Sequence, residues 1–184
     1  MSIEITEDHV YAQDGIGYPS VTNILQKTGF IDTKWFTEYG RERGSCVHQI
    51  IHWHILGELD EGTVDPVLQP YLEAWKSFEK DTGYQSLYVE HSLVSPEYGF
   101  AGTPDNIGIL NENDAVVDLK SGSVSDWVGI QTAGYEILSG LKLHRFALQL
   151  KGDGKYILKE FKDRNDINIF KSAMACYQWQ RNHK

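Results

Sequence analysis

The stretch that decides how the chain is read is 102–120, Gly102-Thr103-Pro104-Asp105-Asn106-Ile107-Gly108-Ile109-Leu110 followed by Asn111-Glu112-Asn113-Asp114-Ala115-Val116-Val117-Asp118-Leu119-Lys120. Its second half alternates, so Asp118 and Lys120 share one face of a strand while Val117 and Leu119 share the other. The apolar face is expected to pack on a core. Its first half sets a glycine, a proline and a carboxylate inside an otherwise extended run, which predicts a bulge or bend that re-aims a side chain. If the two halves are neighbours in a meander, Asp105 comes close to Asp118. Carboxylates so placed repel one another unless a cation lies between them, and hard divalent ions such as Mg²⁺ or Mn²⁺ prefer oxygen ligands. In isolation, Asp118-Leu119-Lys120 suits a surface ion pair far better than a cation site, and Asp105 alone better suits a turn cap.

Outward from this stretch, short β-rich runs at 86–94, 99–110 and 115–120 predict three meandering strands. A helix is expected over 126–138, strands over 144–150 and 155–161 joined at Gly152-Asp153-Gly154, and a closing helix over 166–180. The N-terminal half reads as helical. Ser20 caps a short helix to Lys27, a longer one over 32–56 carries Phe36, Tyr39, Val47, Ile50, Ile51 and Ile55, and a third covers 66–82. Helices, strands, helix, strands and helix in that order predict an α/β (α+β) fold with a mixed sheet flanked by helices.

With 184 residues, the chain is expected to form a single domain over 1–184. Its composition, 41% hydrophobic and 23% charged, excludes disordered and collagen-like classes. The chain lacks the long apolar run of a membrane span, and its acidic start lacks the features of a signal peptide, so a cytoplasmic location is expected. Cys46 and Cys176 are too few for a disulfide framework or an iron–sulfur cluster and are expected to be buried small hydrophobes. A formal charge of −9 argues against coating nucleic acid by bulk electrostatics. The average conceals an asymmetry: residues 1–140 hold 7 basic and 22 acidic side chains, and the last 44 hold 10 and 4. The basic segment suits either a polyanion-binding patch or a plain solvated face.

Three further signals accompany the carboxylates. His48 and His52 lie one turn apart on the long helix and could face a cation together, although helical histidine pairs are common without one. Glu90, on the strand before Asp105, is a further candidate ligand, and Gln131 and Tyr135, four apart on the 126–138 helix, put an amide and a phenol on one face.

Taken in order, His48, Glu90, Gly102-Thr103-Pro104-Asp105, Asp118-Leu119-Lys120 and Gln131-x-x-x-Tyr135 resemble the PD-(D/E)xK nuclease superfamily, in particular its RecB-like branch with the phage recombination exonucleases. The resemblance runs from about Ser20 to Tyr135. It implies a restriction-endonuclease-like core in which Asp105, Asp118 and the Leu119 carbonyl bind Mg²⁺ or Mn²⁺ and His48 adds a ligand. It implies that Lys120 orients or helps deprotonate the attacking water, that Glu90 is an accessory catalytic carboxylate, and that Gln131 and Tyr135 contact the nucleic-acid strand. Arg41 and Arg43, near His48, are expected to help bind DNA. The expected function is metal-dependent hydrolysis of DNA, more at ends than at a recognised sequence, in recombination, repair or phage DNA processing, with DNA ends and a recombination protein as partners and no membrane. Two alternatives stay open: a nucleic-acid- or partner-binding module with weak or no catalysis on the same fold, and a zinc hydrolase using His48, His52 and a carboxylate.

Overall fold

A computed structural model describes residues 3–5, 10–32, 34 and 37–183. The alternation in 113–120 forms the middle of a five-stranded mixed sheet. β4 (Gln85–Val89), β7 (Asn106–Leu110), β8 (Asn113–Lys120), β9 (His144–Leu150) and β10 (Tyr156–Glu160) lie in the order β10-β9-β8-β7-β4. All neighbours are antiparallel except β8 and β9, which run parallel with Asp118 beside Ala147. A parallel pair needs a crossover, and α4 (Trp127–Ser139) supplies it.

Strand parity divides the core. Ala115, Val117 and Leu119 face α2 (Glu38–Leu56) and α3 (Gln69–Thr82) together with Phe146, Leu148 and Leu150. Val116 faces the opposite layer, made by α1 (Val21–Lys27), α4 and α5 (Asn165–Asn182) through Ile24, Ile130 and Phe170. The expected fold class is therefore present, a mixed sheet with helices on both faces. Among the described residues no helix is long and apolar enough to cross a membrane.

Several expectations are corrected. The first two β runs are each broken in two: β5 (Leu93–Ser95) and β6 (Phe100–Gly102) leave the main sheet and pair with each other. Thr103-Pro104-Asp105 makes the second break, because proline cannot donate to a ladder. Ahead of α1 the described residues form strands, which the helical reading of the N-terminal half did not include. β1 (Glu4–Ile5), β2 (Val10–Gln13) and β3 (Ile16–Pro19) form an antiparallel sheet. Its second turn is Asp14-Gly15, with φ of 52° and 76°, the left-handed pair that an Asp-Gly hairpin demands. α2 begins at Glu38, capped by Thr37, rather than at residue 32. Of its expected apolar stripe, Phe36 lies outside the described residues, and Tyr39 is exposed. Cys46 and Cys176 are exposed too, because on their helices they lie off the stripes centred on Val47, Ile50 and Ile51 and on Phe170 and Ala173.

Among the described residues, five of the ten basic side chains of the C-terminal segment pair within the fold. Arg145 is wholly buried. Its guanidinium donates to the Gly129 carbonyl at 2.8 Å, to Asp166 at 3.0 Å and to the Asp163 carbonyl at 2.6 Å, with Glu136 at 3.5 Å. Arg164 donates to both oxygens of Glu136, and Lys151, Lys159 and Lys162 pair with Asp153, Asp126 and Glu160. Removing one member of a buried network strands the other charges, so Arg145→Met is expected to cost about 3–5 kcal/mol of stability in urea unfolding. Arg145→Lys does not restore it, because an ammonium cannot reach four acceptors at once.

Candidate metal centre and groove

The break after β6 places the chemistry. Asp105 ends the crossing between the two sheets, and the register pairs Asn106 with Val117, so Asp105 lies beside the end of β8. Its Oδ2 accepts the Leu119 backbone N–H at 2.7 Å, pinning the carboxylate against that strand. Asn106 anchors the other side, accepting from the Tyr84 hydroxyl at 2.7 Å and donating to Ser86 Oγ at 3.0 Å. Gly108 belongs to the same seam. A Cβ there would lie 2.2 Å from the Gln85 carbonyl and 2.7 Å from the Tyr84 hydroxyl, so only glycine lets β7 lie against β4.

Glu90 is not on a strand but in the bend after β4, with φ of 49°. A non-glycine residue in the left-handed region costs about 1–3 kcal/mol and persists where the surroundings hold it. Here its N–H donates to the Asp105 carbonyl at 3.0 Å. The turned backbone brings its carboxylate to 3.7 Å from His48 Nδ1, while Asp105 Oδ1 stands 3.4 Å from the same nitrogen. Donor atoms of His48, Glu90 and Asp105 all lie within 4.8 Å of one another. His48 Nε2 faces the Leu119 carbonyl at 3.2 Å.

The structure therefore brings His48, Glu90, Asp105 and Leu119 together. Asp118 stands slightly apart, on the same strand face as Lys120 and ion-paired with it. A carboxylate only 1% exposed requires a counter-charge, and the ammonium supplies it. Burial pushes the Asp118 carboxyl above its ordinary range against the pull of Lys120. Burial acts on Asp105 in the same direction, but His48, Lys120 and the Leu119 N–H outweigh it and hold that carboxyl low. For Lys120, burial alone would release the proton, and the two aspartates hold it on. Its ammonium also stands 5.7 Å from the centroid of the Trp127 ring, a contact that sequence reading missed.

Burial would lower the His48 pKa, yet Asp105 and Glu90 raise it from 6.5 to about 10. A raised folded pKa gives stability that is complete below about 6.5 and is lost as pH rises through about 10. In EDTA the thermal midpoint is therefore expected to fall between those limits, with a slope that flattens in His48→Gln. An equal slope in both proteins would remove His48 as its source.

The other expected residues are placed as follows. Arg43 donates to the Ser121 carbonyl at 3.2 Å, next to Lys120, and its guanidinium lies 5.7 Å and 5.9 Å from the Tyr39 and Tyr71 rings. Arg41 is exposed near the start of α2. His52 does not join the cluster, and its Nδ1 is buried without a hydrogen bond among the described residues. Gln131 donates to the Tyr135 hydroxyl at 3.1 Å, and both side chains are buried on α4. Burial raises the Tyr135 phenol well above its ordinary range, and the charges of Asp118 and Asp105 add to this.

Beside the cluster lies a groove of about 550 Å³ between the N-terminal sheet, α1, β6 and α4, lined by Tyr11, Ser92, Thr103 and Tyr135 and sharing Glu90 with the cluster. Tyr11 and Ser92 carry no signal in the motifs above, and Thr103 enters only as part of Gly102-Thr103-Pro104-Asp105. The Tyr11 signal lay in the Asp-Gly hairpin that carries it. Gly102 sets the groove wall: a Cβ there would lie 3.0 Å from Tyr135, 3.1 Å from Leu138 and 3.2 Å from Val21. Gly102→Ala is expected to lose about 1–3 kcal/mol in urea unfolding, since side chains of two helices must give way at once.

Comparison of the sequence matched no known protein family and no curated protein. Among solved structures, the fold is similar to that of a candidate exonuclease from Eubacterium rectale, with TM-score 0.56 and 16% identity over 90% of this chain and 82% of that one. An alkaline exonuclease from Laribacter hongkongensis, solved alone and with dAMP, aligns at TM-score 0.47 and 12% identity over 89% of this chain and 87% of that one. The central mixed sheet with helices on both faces, shared with the Eubacterium rectale protein, is a restriction-endonuclease-like fold.

Proposed function

We propose that the chain is a metal-dependent nuclease that hydrolyses phosphodiester bonds in DNA, acting at strand ends. The observation that carries this reading is the convergence of His48, Glu90 and Asp105 on one point beside the Leu119 carbonyl, with Asp118 and Lys120 on the adjoining strand end. The donor set, carboxylate and carbonyl oxygens with one imidazole, fits Mg²⁺ or Mn²⁺. Asp105, the Leu119 carbonyl and His48 would hold the cation, with Asp118 and Glu90 as further carboxylates. Once bound, such an ion supplies charge neutralisation at the phosphate and a lower pKa for the attacking water. Lys120, held by Asp118 and over Trp127, places a fixed positive charge where the pentavalent phosphate gathers negative charge. Arg43, anchored to Ser121, adds a cation at the same rim and suits the DNA backbone. Gln131 buttresses Tyr135, which lines the groove beside the cluster. Roles in recombination, repair or phage DNA processing follow from the resemblance in motifs alone, whereas the fold shared with the candidate exonuclease from Eubacterium rectale supports nuclease activity.

The test is cleavage of end-labelled linear single- and double-stranded DNA beside closed circles, in Mg²⁺, Mn²⁺ or EDTA. Metal-dependent loss of linear DNA alone is the expected result. Cutting of circles makes the chain an endonuclease, and no metal-dependent cleavage of any substrate overturns hydrolysis in favour of a binding module.

A further inference from the structure

The groove next to the cluster has a chemistry unlike that expected of a surface for phosphates. Thr103 Oγ1 lies 2.8 Å from the Tyr11 hydroxyl and 2.8 Å from Ser92 Oγ, so three hydroxyls from β2, the bend before β5 and the break after β6 form one chain. Three hydroxyls carry three protons, and two are consumed inside the chain, so it offers a ligand one donor and several lone pairs. Among the described residues the lining holds no lysine or arginine, and its one charged group is the Glu90 carboxylate. Ser20 lines it as well, but its Oγ already accepts the Asn23 N–H of α1. At about 550 Å³ the groove falls in the size range of sites for small molecules, and it shares Glu90 with the cluster of His48 and Asp105.

These features separate two parts of a nucleotide. The phosphodiester belongs at the cluster, where cationic groups stand. The sugar and base, uncharged and rich in both donors and acceptors, match the hydroxyl chain and the tyrosine rings. A terminal phosphate, carrying about −1.5 to −2 charge at neutral pH, would enter a groove whose described lining offers it neutral donors and no cationic side chain. We propose that this groove seats the terminal nucleoside of a DNA strand and selects ends bearing a hydroxyl over ends bearing a phosphate. The inference rests on the proposed phosphodiester hydrolysis and adds to it the class of strand end accepted.

The test measures initial rates of nucleotide release in Mn²⁺ from a linear strand carrying hydroxyl or phosphate at each end in turn. At the end from which degradation starts, the hydroxyl form is expected to react faster by at least about tenfold, the range over which a mismatched pocket discriminates. Thr103→Val, which keeps the side-chain shape and breaks both links of the chain, is expected to bring the ratio toward one, with Mn²⁺ binding unchanged. Ser92→Ala, which removes only an outer hydroxyl, repeats the test should the first variant fold poorly. Equal or faster reaction of the phosphorylated end overturns the proposal, as does a ratio unmoved in both variants. Equal cutting of circles and linear strands also overturns it while leaving hydrolysis intact. If no DNA is cut, hydrolysis falls, and amide NMR in EDTA decides the groove. Shifts at Ser92 and Thr103 that are larger with deoxyadenosine than with dAMP support it, and no shifts, or equal ones, overturn it.

Discussion

Replacing Lys120 by alanine is expected to reduce DNA cleavage by at least about 10²- to 10³-fold, the cost of removing one preorganised charge from a developing anion. The ammonium cannot be replaced by a neighbour. Its position comes from the end of β8, its partner Asp118 lies two residues back on the same face, and Trp127 stands beneath it. Cation binding is expected to survive, because His48, Glu90, Asp105 and the Leu119 carbonyl are untouched. Calorimetric titration with Mn²⁺ therefore separates the two functions. The variant leaves Asp118 buried without its counter-charge, so thermal unfolding in EDTA shifts down and cleavage must be read well below that midpoint. Wild-type cleavage by a folded Lys120→Ala protein would end the assignment.

Asp105→Asn acts on the other half of the site. The amide oxygen can still accept the Leu119 N–H, so the seam between β7 and β8 is expected to hold. What disappears is the negative charge 3.4 Å from His48. Mn²⁺ affinity should fall by about 10- to 100-fold or more, since even groups that only orient metal ligands cost that much. The His48 pKa should drop from about 10 toward its ordinary 6.5, because Asp105 contributes most to raising it. A titration of the His48 ring by NMR reads this second effect independently of any cation. Undiminished Mn²⁺ affinity would remove Asp105 from the ligand set.

Much of the site was legible because its residues sit on regular elements. Parity alone put Asp118 and Lys120 together, and the proline beside Asp105 marked the break that presses it against Leu119. Glu90 was found as a residue but not as a conformation. No local pattern announces a glutamate with φ of 49° whose N–H donates to the Asp105 carbonyl. The basic tail shows a related limit: charge counted along a chain does not say which cations will be buried. Arg145 looked like a surface charge and is the centre of an internal network with Glu136 and Asp166.

The sequence by itself determined the layered α/β class, the spans of α1, α4, β9, β10 and α5 and the identity of the clustered residues, because alternation, caps and glycine stops are local and repeat along the chain. Only the tertiary structure decided which groups meet. His48 and Glu90 are 42 positions apart and Glu90 and Asp105 another 15, and no periodicity relates them. Their meeting depends on α2 lying over the end of β8 and on a strained bend across from Asp105. The groove is the same kind of outcome: Tyr11 reaches Thr103 across 92 positions because an Asp-Gly hairpin folds the N-terminal sheet beside β6. Long-range packing sets such contacts, through buried area and hydrogen bonds that form only once the layers close.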